Sequence, residues 1–235
     1  MNLFVSWSGG KDCCLAMHRA IRAGHRITRL ASMFMEDRLY PHYFTPELLR
    51  RQAEAMGIPI VIKKTNSENY RQDYIQMLKE FKSESIEGGV FGDVSIGNSH
   101  ATGHYSWIEG VCKEAGMEIV LPLWNENREL ILIDLINSGF KAKIIAADQG
   151  KLGKSWLGKE FDLELLAELK AMHANSKNGE VGLYHTLVLD GPTFKRRLDL
   201  EKTDIVYKEY GLFDGKSTLF PFWYLDIVES KLVDK

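Results

Sequence analysis

Residues 8–12 read Ser-Gly-Gly-Lys-Asp and stand directly behind the apolar run Leu3-Phe4-Val5, which Ser6 closes. Two glycines without Cβ let a main chain approach an anion closely, and the first turn of a helix offers N–H groups that have no partner. A strand, a small-residue turn and a helix in that order build an oxyanion or phosphate site. Ser8 adds a hydroxyl donor, Lys11 a cation, and Asp12 a carboxylate able to hold Mg²⁺ or to orient a partner. A Walker A loop needs four residues between its first glycine and its Gly-Lys pair, so this is a different phosphate loop. Two further places carry chemistry. His42 lies in the loop 36–43 behind the second strand, where ligands gather in open α/β sheets. Gly92-Asp93 ends the strand that starts at Gly88, and a carboxylate there can bind a ribose, an amine or Mg²⁺.

The elements that position these groups alternate. Lys11 to Gly24 carries Cys14, Leu15, Met17, His18 and Ile21 at near-helical spacing, and Gly24 stops the helix. Arg26 to Met35 reads as a strand. Thr45 caps a helix with Pro46 at its first position, and Ile60-Val61-Ile62 is a third strand. Asn69 to Ser85 is an amphipathic helix whose Tyr70, Tyr74, Met77, Leu78 and Phe81 are expected in the core. Residues 95–104 read as a polar loop that includes His104, with a helical face starting near Trp107. Strand-like segments at Met117–Leu121 and Lys141–Ala147 extend the alternation to about residue 147, which predicts a parallel sheet flanked by helices. Beyond Trp156 come a helix capped by Asp162 and strands at Tyr184–Leu189, Thr203–Tyr210 and Phe220–Val228. Without helices between the last two, a small antiparallel or mixed sheet is expected. The expected division is residues 1–125 for the phosphate-loop unit and 126–235 for a smaller α+β unit.

A chain of 235 residues can bury a full core. Its formal charge of −2 supplies no drive toward nucleic acid. Three cysteines, Cys13, Cys14 and Cys112, include no C-x-x-C pair, which argues against a disulfide framework or a structural zinc site and for a reducing compartment. No apolar run approaches the ~18 residues of a membrane span, and no basic leader precedes the first strand. A cytoplasmic protein is expected.

The loop resembles the PP-loop of the ATP pyrophosphatases, usually S-G-G-K-D-S, with Cys13 in place of the last serine. The likeness continues in H-Y-F-T-P-E-L-L-R-R-Q-A-E-A-M-G-I-P (42–59), F-G-D-V (91–94), H-Y-S-W-I-E-G-V-C (104–112), P-L-W (122–124), G-F-K-A-K-I-I (139–145), L-G-K-S-W-L-G (152–158) and G-E-V-G-L-Y-H-T-L-V-L-D-G-P (179–192). In that order over nearly the full length, the chain resembles the diphthine–ammonia ligase family. The resemblance implies a HUP-type ATP-binding domain joined to a smaller domain that presents the substrate. It implies that a carboxylate is adenylated with release of pyrophosphate and that ammonia then displaces AMP.

Carried over by position, Ser6, Ser8, Gly9, Gly10, Lys11, Asp12, Cys13, His42, Gly92 and Asp93 form the nucleotide side. Asp12 and Asp93 would meet Mg²⁺ brought with ATP. His104, Gly182, Tyr184 and Thr186 fall on the acceptor side. Lys11, Asp12, Asp93, Glu180 and His185 would be catalytic, with His185 deprotonating ammonium or orienting the acyl group and Glu180 as its partner. Two more positions depart from the family: Asn178, often cysteine, and Leu183, usually glutamate, whose loss removes a charge from the expected acceptor pocket. Expected partners are ATP, ammonia, and elongation factor 2 carrying diphthine or else a small carboxylate. A homodimer is left open, and neither membrane nor nucleic acid is expected. Two other readings compete: a ligase for a small-molecule carboxylate, and an ATP-binding module without chemistry. A thiolating tRNA enzyme would need paired reactive cysteines and a basic surface, and the sequence has neither.

Overall fold

A computed structural model describes residues 1–35, 38–39, 41–94, 99–173, 183–211 and 219–235. The chain begins β1 (Asn2–Ser6), α1 (Lys11–Arg22), β2 (Arg26–Phe34), α2 (Pro46–Met56), β3 (Ile60–Lys64), α3 (Tyr70–Ser83), β4 (Gly88–Val90), α4 (Ser99–Ala115) and β5 (Glu118–Val120). These five strands make one parallel sheet in the order β3-β2-β1-β4-β5. Parallel strands of this kind are buried on both faces, which is why β1 is a continuous apolar run. Leu3 and Val5 pack with α1 and α2 on one face, while Phe4 packs with α3 and α4 on the other. The strand order reverses between β1 and β4, and the crevice outside the carboxyl ends of those two strands is where such a sheet takes its ligand.

Local signals set the helices. Thr45 Oγ1 accepts from Leu48 N at 3.3 Å, Pro46 opens α2, and Gly57 closes it in the left-handed region at φ +69°. Thr45→Ala is expected to lower the unfolding free energy by about 1 kcal/mol in urea titration, and an unchanged midpoint would show the cap to be idle. Helix α4 begins at Ser99, so His104 lies on a helix and not in the polar loop expected there. Ile21, expected on the inner face of α1, is 39% exposed.

The rest of the chain runs α5 (Arg128–Asn137), β6 (Lys141–Asp148), a short 3-10 turn (Lys154–Trp156), α6 (Leu163–His173), β7 (Tyr184–Asp190), β8 (Arg196–Gly211) and β9 (Leu219–Asp234). Its four strands form a separate antiparallel sheet in the order β7-β6-β9-β8. Strand β6 therefore does not continue the parallel alternation. Its buried run Ile144-Ile145-Ala146-Ala147 looks locally like a parallel-sheet strand, and only its partners decide the sheet to which it belongs. Strands β8 and β9 are 16 residues each, longer than their apolar centres implied. Charged stretches pair there, from Arg196 opposite Asp234 to Lys202 opposite Glu229. The second sheet packs on the α1–α2 side of the first, so Leu15 and Leu49 share one core with Ile144, Leu187 and Tyr224. Among the described residues no helix is long and apolar enough to cross a membrane.

Candidate functional site

A cavity of about 340 Å³ opens where β1 and β4 end, and β7 closes its side. Ser6, Ser8, Gly10, Lys11, Asp12 and Cys13 line it from the phosphate loop, Gly92 and Asp93 from behind β4, and His42 from the loop after β2. Tyr184, His185 and Thr186 line it from β7. The structure thus brings together nearly all the described residues singled out in the sequence. Gly9 lies behind the lining, and His104 stands outside it, bonded to Asp93. Glu180 and Gly182, together with Asn178, lie outside the described residues.

The loop geometry follows from its glycines. Gly9 has φ +77°, which only glycine adopts without strain. A Cβ on Gly92 would come within 2.7 Å of Cys13 N and 2.8 Å of the Asp12 carbonyl carbon, so β4 can exit against α1 only through a residue lacking that atom. Gly10 occupies the N-cap of α1 without a capping side chain of its own. Thr186 supplies one from the other sheet: its buried Oγ1 accepts from Lys11 N at 3.0 Å. Lys11 Nζ sits 2.9 Å from Asp12 Oδ2 and 5.2 Å from the centre of the Tyr184 ring. Ser8 Oγ donates to Cys13 Sγ at 3.5 Å, and Cys13 Sγ donates to Gly10 O at 3.2 Å. Cys13 therefore keeps a hydrogen bond inside the loop that the serine of the PP-loop pattern could also make.

Two histidines line the cavity and a third, His104, bonds its Asp93, and they fall into two electrostatic states. His42 and His185 lie with ring centroids 4.8 Å apart. Burial, with the Lys11 charge adding to it, lowers the His42 pKa from 6.5 to about 4. Burial, His42 and Lys11 hold His185 well below its ordinary value. Both rings are therefore neutral at neutral pH, and burial leaves His185 a weaker base than a free imidazole. It can accept or donate a hydrogen bond as a neutral imidazole. His104 is the opposite case. Its Nδ1 lies 2.7 Å from Asp93 Oδ1, and that hydrogen bond raises its pKa against the opposing effect of burial.

Other lining residues were not legible. Tyr70 and Tyr74, expected only as core, also face the cavity, where burial raises both phenol pKa values. Leu183 is 3% exposed and packs in the shared core. Arg128, the first residue of α5, lines the cavity as well. A cation there opposes the helix dipole, and that local conflict is the signal by which the sequence could have disclosed it. No cluster of three or more metal-ligating side chains occurs among the described residues. Asp12 and Asp93 are too few for a dedicated cage but suit an ion held chiefly by phosphate oxygens.

The chain matches the family model described as the diphthamide synthase N-terminal domain over residues 1–119 and the diphthamide synthase C-terminal domain over residues 127–218. The diphthine–ammonia ligase of Homo sapiens is 30% identical over 254 residues, covering 97% of this chain and 91% of that protein. The one from Mus musculus is 31% identical over 225 residues, covering 85% and 82%. Among solved structures, a predicted subunit of tRNA methyltransferase from Methanocaldococcus jannaschii aligns with a TM-score of 0.44 and 14% identity over 82% of this chain and 98% of that one, which bears on nothing further.

Proposed function

Since this chain belongs to the diphthamide synthase family, whose curated relatives are diphthine–ammonia ligases, we propose that it is an ATP-dependent carbon–nitrogen ligase that adenylates a carboxylate and converts it to an amide. The proposed acceptor is diphthine on elongation factor 2, and the proposed nitrogen donor is ammonia. The observation that carries this reading is the cavity in which the phosphate loop, Asp93 and the β7 residues His185 and Thr186 meet.

A carboxylate resists attack by ammonia, because its charge repels the nucleophile and oxide leaves poorly. Activation therefore comes first. An acceptor oxygen attacks the α-phosphorus of ATP, the bond from that phosphorus to the bridging oxygen breaks, and pyrophosphate departs with the electron pair. Lys11 and the N–H groups of the loop stabilise that charge where it develops. Asp12 and Asp93 would hold Mg²⁺ brought with the phosphates, and that ion would supply further charge neutralisation. Arg128 contributes a second cation to the same cavity. Ammonia then attacks the acyl carbon, one proton is lost, and AMP leaves with the electron pair, giving the amide. His42 and His185, being neutral, offer hydrogen bonds to an uncharged amine and do not compete with Lys11 for the phosphates. Asp93 orients His104 at the exposed edge, where that imidazole can relay the released proton.

The test follows AMP and pyrophosphate during incubation with ATP, Mg²⁺, ammonium, and either diphthine-bearing elongation factor 2 or small carboxylates. AMP formed only with the protein acceptor supports the full reading, and AMP formed only with a small acid moves the substrate. Tight ATP binding without turnover on any acceptor would replace the ligase with a nucleotide sensor.

A further inference from the structure

Gln52 lies on the inner face of α2 and is 0% exposed. A buried carboxamide is costly unless its polar atoms are engaged, and here they are. Nε2 donates to the main-chain carbonyls of Gly9 at 3.0 Å and Val188 at 2.7 Å, while Oε1 accepts from Trp7 Nε1 at 3.2 Å. The phosphate loop, α2 and β7 thus meet on one amide. Gly9 O accepts a second bond from Val188 N at 3.1 Å. A trans peptide points its C=O and the following N–H in opposite directions. With the Gly9 carbonyl pinned toward Gln52, the Gly10 N–H is turned the other way, to the side on which Gly10 lines the cavity. The fit is tight, since a Cβ on Gly9 would lie 2.5 Å from Gln52 Oε1. A pair of glycines is also the sequence most free to turn that peptide over when nothing holds it.

We propose that Gln52 is a positioning residue for the phosphate loop, fixing the 9–10 peptide so that its N–H faces the β and γ phosphates of the nucleotide. The proposal rests on the cavity being the ATP site. With the Gln52 donor to Gly9 O gone, Val188 N–H is left as the partner of that carbonyl, and the peptide turns over more readily, setting a carbonyl oxygen against the phosphates and replacing a hydrogen bond by a repelling dipole.

Gln52→Met keeps the side-chain volume and removes both donors. Calorimetric titration of parent and variant with Mg²⁺-ATP, Mg²⁺-pyrophosphate and AMP reads the two halves of the nucleotide separately. Binding of ATP and pyrophosphate is expected to weaken by roughly tenfold to a hundredfold, with AMP affinity within about twofold of the parent because AMP has no β and γ groups. A role in packing alone would weaken all three together or none, and either pattern overturns the proposal. If Gln52→Met fails to fold, Trp7→Phe releases only Oε1. That variant should weaken ATP and pyrophosphate several-fold and spare AMP, and equal losses overturn the proposal again. A parent protein that binds no ATP brings down the reading of the cavity and this proposal with it, whereas parent binding with an unselective variant removes the role of Gln52 alone.

Discussion

Lys11→Ala is expected to slow pyrophosphate release by roughly a hundredfold to a thousandfold, the usual cost of deleting one preorganised group at a developing anion. The ammonium of Lys11 lies among loop residues that line the cavity, held by Asp12 at 2.9 Å and over the Tyr184 ring. Its side chain is 14% exposed, so it is partly desolvated before any nucleotide arrives. Folding should respond little, because the partner Asp12 is 37% exposed and a pair that open to water contributes roughly 0–1 kcal/mol. The measurement pairs initial rates with a urea midpoint. A mutant as fast as the parent would detach the loop from the chemistry, and a mutant that loses rate and fold together would make Lys11 a structural residue.

Acid should destabilise the protein by about 3 kcal/mol between pH 7 and pH 4 through His42 alone. Its pKa falls from the ordinary 6.5 to about 4 in the folded chain, so below pH 6.5 the unfolded chain binds a proton that the folded one refuses. The contribution is whole above 6.5, is lost as pH falls, and stops changing below about 4. His185 titrates in the same sense. His104 runs the other way: its raised pKa gives stability that is present below 6.5 and disappears as pH climbs through the folded value. That ring is 56% exposed and its share is small. Urea midpoints at both pH values, for the parent and for His42→Gln, are the check. The glutamine variant should lose much less on acidification, and an equal loss in both would show that His42 plays no part.

The sequence revealed what depends on neighbours along the chain. The apolar β1 run, the glycine turn and the helix after Lys11 were all readable, as was the Thr45-Pro46 start of α2, because each is fixed by contacts within a few residues. The membership of β6 was not, since an apolar run of that length suits either sheet until β7 and β9 claim it. The electrostatic state of His185 escaped for the same reason: it depends on His42 and Lys11, which come from distant parts of the chain. Gln52 reads as an ordinary polar residue on a helix until the carbonyls of Gly9 and Val188 are seen on either side of it. Tyr70 and Tyr74 serve two surfaces at once, and helical periodicity reports only the one that faces the core.

Strand β7 holds the glycine turn through Thr186 and Val188, and this sets an order of events during synthesis. A ribosome delivers residue 9 long before residue 188, so the nascent amino-terminal half carries the motif without the brace that shapes it. Competence to grip a nucleotide is therefore acquired late, when the carboxy-terminal portion emerges and docks, and a polypeptide truncated before β7 is expected to fold its first sheet and remain inert.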